Sequence, residues 1–138
     1  MRAPTRCLAL ASLLVLGSCD SDTSPTSTFS CVVVTGQYTG VFTDSCGLSK
    51  TEDVTLFQTG CNVVAQFPGV GSLQGIVEGQ TLVFSIGFAG YSPCGGSASG
   101  SATVTSSGGL RGTYQGQASG AGATCCGNVS GSFTLTRR

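Results

Sequence analysis

From Gly36 onward, apolar and polar positions alternate with a period of two, and no stretch sustains a helical period. The alternation, broken by glycine-rich turns, predicts eight strands, at 37–43, 53–59, 62–67, 72–77, 80–88, 97–105, 110–118 and 128–136. One phase of every strand is apolar or very small. It holds Tyr38, Gly40 and Phe42 in the first strand and Val54 and Leu56 in the second, then Val63, Ala65, Phe67, Leu73, Gly75 and Val77. It continues with Leu82, Phe84, Ile86 and Phe88, then Ala98, Gly100, Ala102 and Val104, and ends with Leu110, Gly112, Tyr114, Gly116, Val129, Gly131, Phe133 and Leu135. The other phase is mostly Thr, Ser, Gln and Asn. Apolar inside and polar outside suits a water-soluble barrel or sandwich; a membrane-spanning barrel needs the reverse.

The connections alternate as well. Those at 60–61, 78–79 and 106–109 are short, whereas long ones fall at 44–52, 89–96 and 119–127. In an up-and-down meander this puts tight hairpins at one end and long loops around a mouth at the other. The expected fold is therefore all-β, a closed eight-stranded antiparallel up-and-down barrel, with an open two-sheet β-sandwich as the alternative.

The residues before the strands carry a different pattern. Arg2 and Arg6 give a positive segment ahead of an apolar run at 8–16 that is too short to span a bilayer, the signature of a secretory signal peptide. It ends in Leu16-Gly17-Ser18-Cys19, which resembles a bacterial lipobox. That resemblance implies cleavage after residue 18, a lipidated Cys19 as the mature N-terminus, and a membrane anchor in the cell envelope. The segment 20–30 is rich in Ser and Thr and suits a flexible tether of about 20 Å. The expected organisation is thus signal peptide 1–18, lipidated cysteine and tether 19–35, and barrel 36–138.

Charged residues make up 9% of the chain and the formal net charge is zero, so no basic surface for nucleic acid or anionic lipid is expected. There is no histidine, which removes the commonest general base and metal ligand. Of eight cysteines, Cys7 leaves with the signal and Cys19 takes the lipid. Export makes disulfides the natural state of the other six. Cys31 and Cys61 fall at the tight-hairpin end and are expected to pair. Cys46, Cys94, Cys125 and Cys126 fall at the mouth, where Cys46 and Cys94 are expected to pair with Cys125 and Cys126 in an order the sequence leaves open. A zinc site at the mouth, or a vicinal Cys125–Cys126 bridge, are the alternatives.

The first strand opens Gly36-Gln37-Tyr38-Thr39-Gly40, which resembles the Gly-x-Trp start of calycins, the lipocalin and avidin-like barrels, with Tyr in place of Trp. In lipocalins a basic residue near the end of the barrel packs on that tryptophan, and Arg137 stands at the matching place here, so a cation–π contact with Tyr38 is expected. The resemblance implies the barrel and a ligand held inside it. With no tryptophan in the chain it implies no biotin site.

Two candidate surfaces follow. Inside, small residues at Gly40, Gly100, Gly116 and Gly131 lie between aromatic layers, Phe42, Phe67 and Phe88 above and Tyr38, Phe84, Tyr114 and Phe133 below. Such a layer is either a cavity for a small apolar ligand or a packed core in which glycines permit strand bending. Outside, Val41, Phe57, Val64, Ile76 and Val83 form a candidate face for a protein partner or a dimer. Asp44, Glu52 and Asp53 sit towards the mouth, where a two-carboxylate hydrolase could place them, but solvated loop carboxylates are the plainer reading. No nucleophile elbow, P-loop or metal motif occurs. The expectation is a non-enzymatic, lipid-anchored envelope protein without a cofactor, either a small-ligand binder or a structural or protein-interaction module.

Overall fold

The computed structural model describes residues 30–68, 71–91, 94–120 and 127–138, for 88–91 and 94 the backbone alone. Eight strands form one closed antiparallel barrel in sequence order: β1 (Gly36–Asp44), β2 (Ser49–Thr59), β3 (Asn62–Phe67), β4 (Gly71–Glu78), β5 (Thr81–Tyr91), β6 (Cys94–Val104), β7 (Leu110–Gly120) and β8 (Gly127–Arg137). Each strand pairs with the next, and β8 closes the ring on β1 with Tyr38 opposite Arg137 and Phe42 opposite Phe133. Closure removes the exposed strand edges that an open sandwich would leave. The up-and-down barrel is the observed fold.

The inward phase is the predicted one. Tyr38, Val54, Leu56, Val63, Leu82 and Leu110 are essentially inaccessible, and the fully buried set among the described residues contains no polar or charged side chain other than the tyrosines. Burying each such aliphatic side chain contributes about 1.5–3 kcal/mol.

Connections at the base are short because glycine allows them to be. Gly60 and Gly79 adopt φ of +60° and +61°, the left-handed region that two-residue hairpins need. The base turn between β6 and β7 is longer and is held by Thr105, whose N–H donates to the Gly109 carbonyl and whose hydroxyl accepts from the Gly109 N–H.

The mouth departs from expectation. Three long loops were expected there, but most of their residues extend the wall. β2 starts at Ser49 rather than at Asp53, pairing Glu52 with Gly40 and Ser49 with Thr43. β5 continues to Tyr91 and β6 begins at Cys94, opposite each other, after a register irregularity between Phe88 and Tyr91. β7 likewise runs to Gly120 and β8 begins at Gly127. Ser, Gly and Asn are poor strand formers, but a neighbouring strand offers their backbone groups a ladder that local propensity does not anticipate.

Residues 31–35, expected to be the end of the tether, close the base. Val34 is completely buried and joins the core, with Cys31 and Val32 packed against it. Two hydrophobic side chains gain burial there that a solvated tether would have left in water.

Candidate functional site

The base seal is built around one amide. Gln58, near the end of β2, accepts from the Val34 N–H through Oε1 at 2.7 Å and donates through Nε2 to the Val32 and Gly60 carbonyls. Its own N–H donates to the Thr35 hydroxyl. The Tyr38 hydroxyl donates to the Val34 carbonyl at 2.8 Å, and the Val32 N–H donates to the Gly79 carbonyl. The strap is locked covalently by the Cys31–Cys61 disulfide, with Cα atoms 5.6 Å apart, as the sidedness of the barrel predicts. Burial pushes the Tyr38 phenol above its usual value, and the nearby Arg137 charge pulls it part of the way back.

Arg137 does not stack on Tyr38 as the calycin resemblance implied. Its guanidinium donates to the Thr35 carbonyl and lies close to Gly36 and Gly108, an exposed clasp over the strap. The strap occupies the ground beneath Tyr38, so the arginine binds the backbone of the strap instead.

Within the barrel, four residues of the candidate ligand set meet as a continuous spine of rings. Phe67 meets Phe42 edge-on at 5.6 Å, Phe42 stacks on Phe133 at 5.8 Å, and Phe133 meets Phe84 edge-on at 5.5 Å. These separations suit favourable aromatic pairing. The small inward residues do not leave an open layer; rings and backbone fill it. A methyl group at Gly40 would fall 2.6 Å from the Phe42 ring, and one at Gly100 2.9 Å from Phe84. At Gly131 it would strike the Tyr114 ring, and at Gly116 the backbone of Ala98, 2.5 Å away at its Cα. The glycines are therefore the hollows into which rings and neighbouring strands fit. The Tyr114 hydroxyl crosses Gly131 to reach the Thr43 carbonyl at 3.4 Å, so it points into the wall. Tyr38 and Tyr114 thus spend their hydroxyls on the barrel's own backbone. The Phe88 side chain lies outside the described residues.

The three carboxylates expected at the mouth each have protein partners, and Asp53, opposite Thr39, lies further towards the base than the other two. Asp44 caps the β1–β2 turn, accepting from the Cys46 and Leu48 N–H groups at 2.8 and 2.9 Å. Asp53 pairs with Arg138, and Glu52 pairs with Lys50 through Oε1. The Glu52 side chain retains only 10% of its exposure, and its Oε2 is buried with no hydrogen-bond partner. Sequence reasoning treated Glu52 as a solvated loop residue; its place in the inward phase, two positions before Val54, was the signal that marks it. A notch of about 360 Å3 lined by Thr51, Glu52, Asp53 and Pro68 opens beside it. Pro68 follows the last residue of β3 and has no N–H to continue the ladder with β2.

Cys46 is disulfide-bonded, as expected of a mouth cysteine, and its partner lies outside the described residues. The Cys94 side chain, Cys125 and Cys126 lie outside them too, as does Cys19. Among the described residues no group of three Cys, Asp or Glu is placed to hold a metal ion.

The outer candidate face resolves into two parts. Phe57 lies opposite Val64 and Ile76 opposite Val83, with Val64 and Ile76 diagonal neighbours, so four side chains form one stripe across β2–β5. Each is about half exposed, Phe57 at 58%. Val41 stands apart, because its cross-strand neighbours are Thr51 and Thr134. The opposite wall is polar and in register: Ser101, Thr113, Ser132 and Thr43 form one row across β6, β7, β8 and β1. The Thr43 and Ser132 hydroxyls are bonded to each other at 3.1 Å, beside a groove of about 410 Å3.

Comparisons with protein-family models, with curated proteins and with solved structures find no match to this chain.

Proposed function

We propose that this chain is an exported, lipid-anchored protein of the bacterial cell envelope whose barrel is a packed, rigid interaction module on a tether. The observation that carries the reading is the packing of the glycine layer among the described residues: the space beside those glycines, where a small ligand would sit, is taken by Phe42, Phe84, Phe133 and Tyr114. A barrel of this strand number is narrow enough for its own side chains to fill. Work then falls to the outside, where the hydroxyl-rich wall of β6, β7, β8 and β1 meets other envelope components.

The test is native mass spectrometry of the protein purified from its membrane, paired with extraction of bound lipids and metabolites. The expected result is the acylated chain with nothing else bound in stoichiometric amount. A co-purifying apolar molecule lost on Phe84→Trp would sink the packed-module reading.

A second reading is favoured by Glu52 alone. A small molecule with a hydrogen-bond donor, seated at the rim, would satisfy the unpartnered Oε2. In that case the same extraction yields a donor-bearing ligand, and Glu52→Gln weakens its retention.

A further inference from the structure

The tether, the apolar stripe and the arginines all belong to the same end of the barrel. The described chain begins at Ser30, next to the strap that is bonded to Cys61 and to the Gly79 carbonyl. The stripe lies just above those two hairpins: Phe57 and Val64 flank the turn at 60–61, and Ile76 and Val83 flank the turn at 79–80. Val33, on the strap itself, is 67% exposed and adds a fifth apolar side chain at this end.

Charge is sorted along the barrel axis in a way that the zero net charge conceals. Arg111 is the second residue of β7, Arg137 the last of β8, and Arg138 pairs with Asp53 beside the first strand, so all three of the barrel's arginines lie towards the base. Within the barrel Glu78 and Asp53 oppose them there, and Asp20 and Asp22 stand in the tether that leads to this end. At the rim the balance reverses, with Asp44 and Glu52 against Lys50.

We infer that the base of the barrel docks on the lipid bilayer, the stripe of Phe57, Val64, Ile76 and Val83 with Val33 entering the interface while the arginines meet anionic headgroups. This inference rests on the lipid-anchored reading. The tether spans about 20 Å as a coil. An 11-residue strand such as β2 is about 35 Å long, and tilted by about 40° it still stands about 27 Å tall. The anchor therefore holds the base, not the mouth, against the membrane. An apolar face and a cationic one add a second contact to the acyl chains, the combination that makes peripheral attachment firm and composition-sensitive. The rim, with Glu52 and Asp44, faces away from the membrane.

Because the chain has no tryptophan, a single introduced one reports its own surroundings. Phe57→Trp and, as a second stripe position, Val83→Trp are compared with Ser72→Trp, which lies on the same wall near the rim. Each full-length protein is purified after export and reconstituted into vesicles of equal parts phosphatidylcholine and phosphatidylglycerol, with and without brominated acyl chains. Both stripe tryptophans are expected to emit further to the blue than the rim one and to be quenched by bromine roughly threefold more strongly. Replacing phosphatidylglycerol with phosphatidylcholine reduces the difference. Equal, solvent-like emission at all three positions overturns the inference. Blue emission at the stripe that bromine does not quench and that grows with protein density also overturns it, in favour of a second copy covering the stripe. The intact mass of the purified chain tests the anchor separately: if Cys19 carries no acyl group, the anchored reading fails, and the same quenching contrast on added vesicles still decides whether the base docks.

Discussion

The two ends of this barrel face the same problem, how to finish a cylinder of strands, and they solve it with different chemistry. At the base a piece of backbone is laid across the opening, and the polar groups of its inward-packed residues are matched: Val34 by Gln58 and Tyr38, Val32 by Gly79 and Gln58, with Thr35 held by Gln58 and Arg137. At the rim the strands run on past the core, and side chains do the finishing. Asp44 caps a turn, Lys50 meets Glu52, and one carboxylate oxygen is left unmatched. A seal made from backbone is uniform and closed, whereas a rim made from side chains keeps groups available for something else. Stability should therefore concentrate at the base, and adaptability at the rim.

The largest expected contrast is between Tyr38→Ala and Lys50→Ala. Tyr38 is completely buried, and its removal also strands the Val34 carbonyl, so a loss of about 3–5 kcal/mol is expected in denaturant unfolding. Lys50→Ala removes a half-exposed ammonium at the rim but leaves the nearly buried Glu52 carboxylate without its partner, so a smaller loss of about 1–2 kcal/mol in unfolding free energy is expected. Comparable losses from the two would remove the asymmetry. Next, replacing both Cys31 and Cys61 by Ser opens a covalent link across 30 residues. It should lower stability by about 2–4 kcal/mol and expose the strap to proteolysis at 31–35 before the barrel itself. Cleavage starting instead in the rim would show that the strap is not held by the bond.

Gln58→Leu keeps the bulk but leaves the Val34 N–H and the Val32 carbonyl without their partner. About 1–3 kcal/mol is expected, together with faster hydrogen exchange at Val34 and unchanged exchange at Leu48. The smallest effect is pH-dependent. The Tyr38 phenol is raised from 10.0 chiefly by burial, so the folded state binds its proton more tightly than the unfolded chain does. That contribution is intact below the unfolded value and is lost as pH rises through the folded one. Stability should thus fall on the alkaline side of 10.0 more steeply in the parent than in Tyr38→Phe, as measured by unfolding midpoints across that range.

What the sequence made legible was whatever a period of two encodes. Strand number, order and inward phase could all be read, and so could the pairing of Cys31 with Cys61, because each depends on local alternation or on sidedness. Two kinds of feature escaped. The rim strands at 49–52 and 94–96 carry Ser, Gly, Lys and Glu, which resemble loop residues; their strand character comes from a neighbour far away in sequence. The strap escaped because Val32-Val33-Val34 shows no alternation and adjoins a Ser/Thr-rich segment. Its burial depends on Gln58, 24 residues further on, whose outward neighbours Phe57 and Thr59 give no hint of a capping role. The glycine layer had two meanings in the sequence. Only the positions of Phe42, Phe84 and Tyr114 show that the small residues receive rings.

The Cys31–Cys61 link also settles where a mechanical load on the N-terminus goes. Traction arriving through Ser30 does not peel β1 away from its neighbours, one hydrogen bond at a time. It passes at Cys31 into the turn between β2 and β3, where both strands are flanked on each side and resist together. The barrel is thus held like a bead threaded through its wall rather than by its loose end. A tug on the N-terminal segment reorients it before it unravels it.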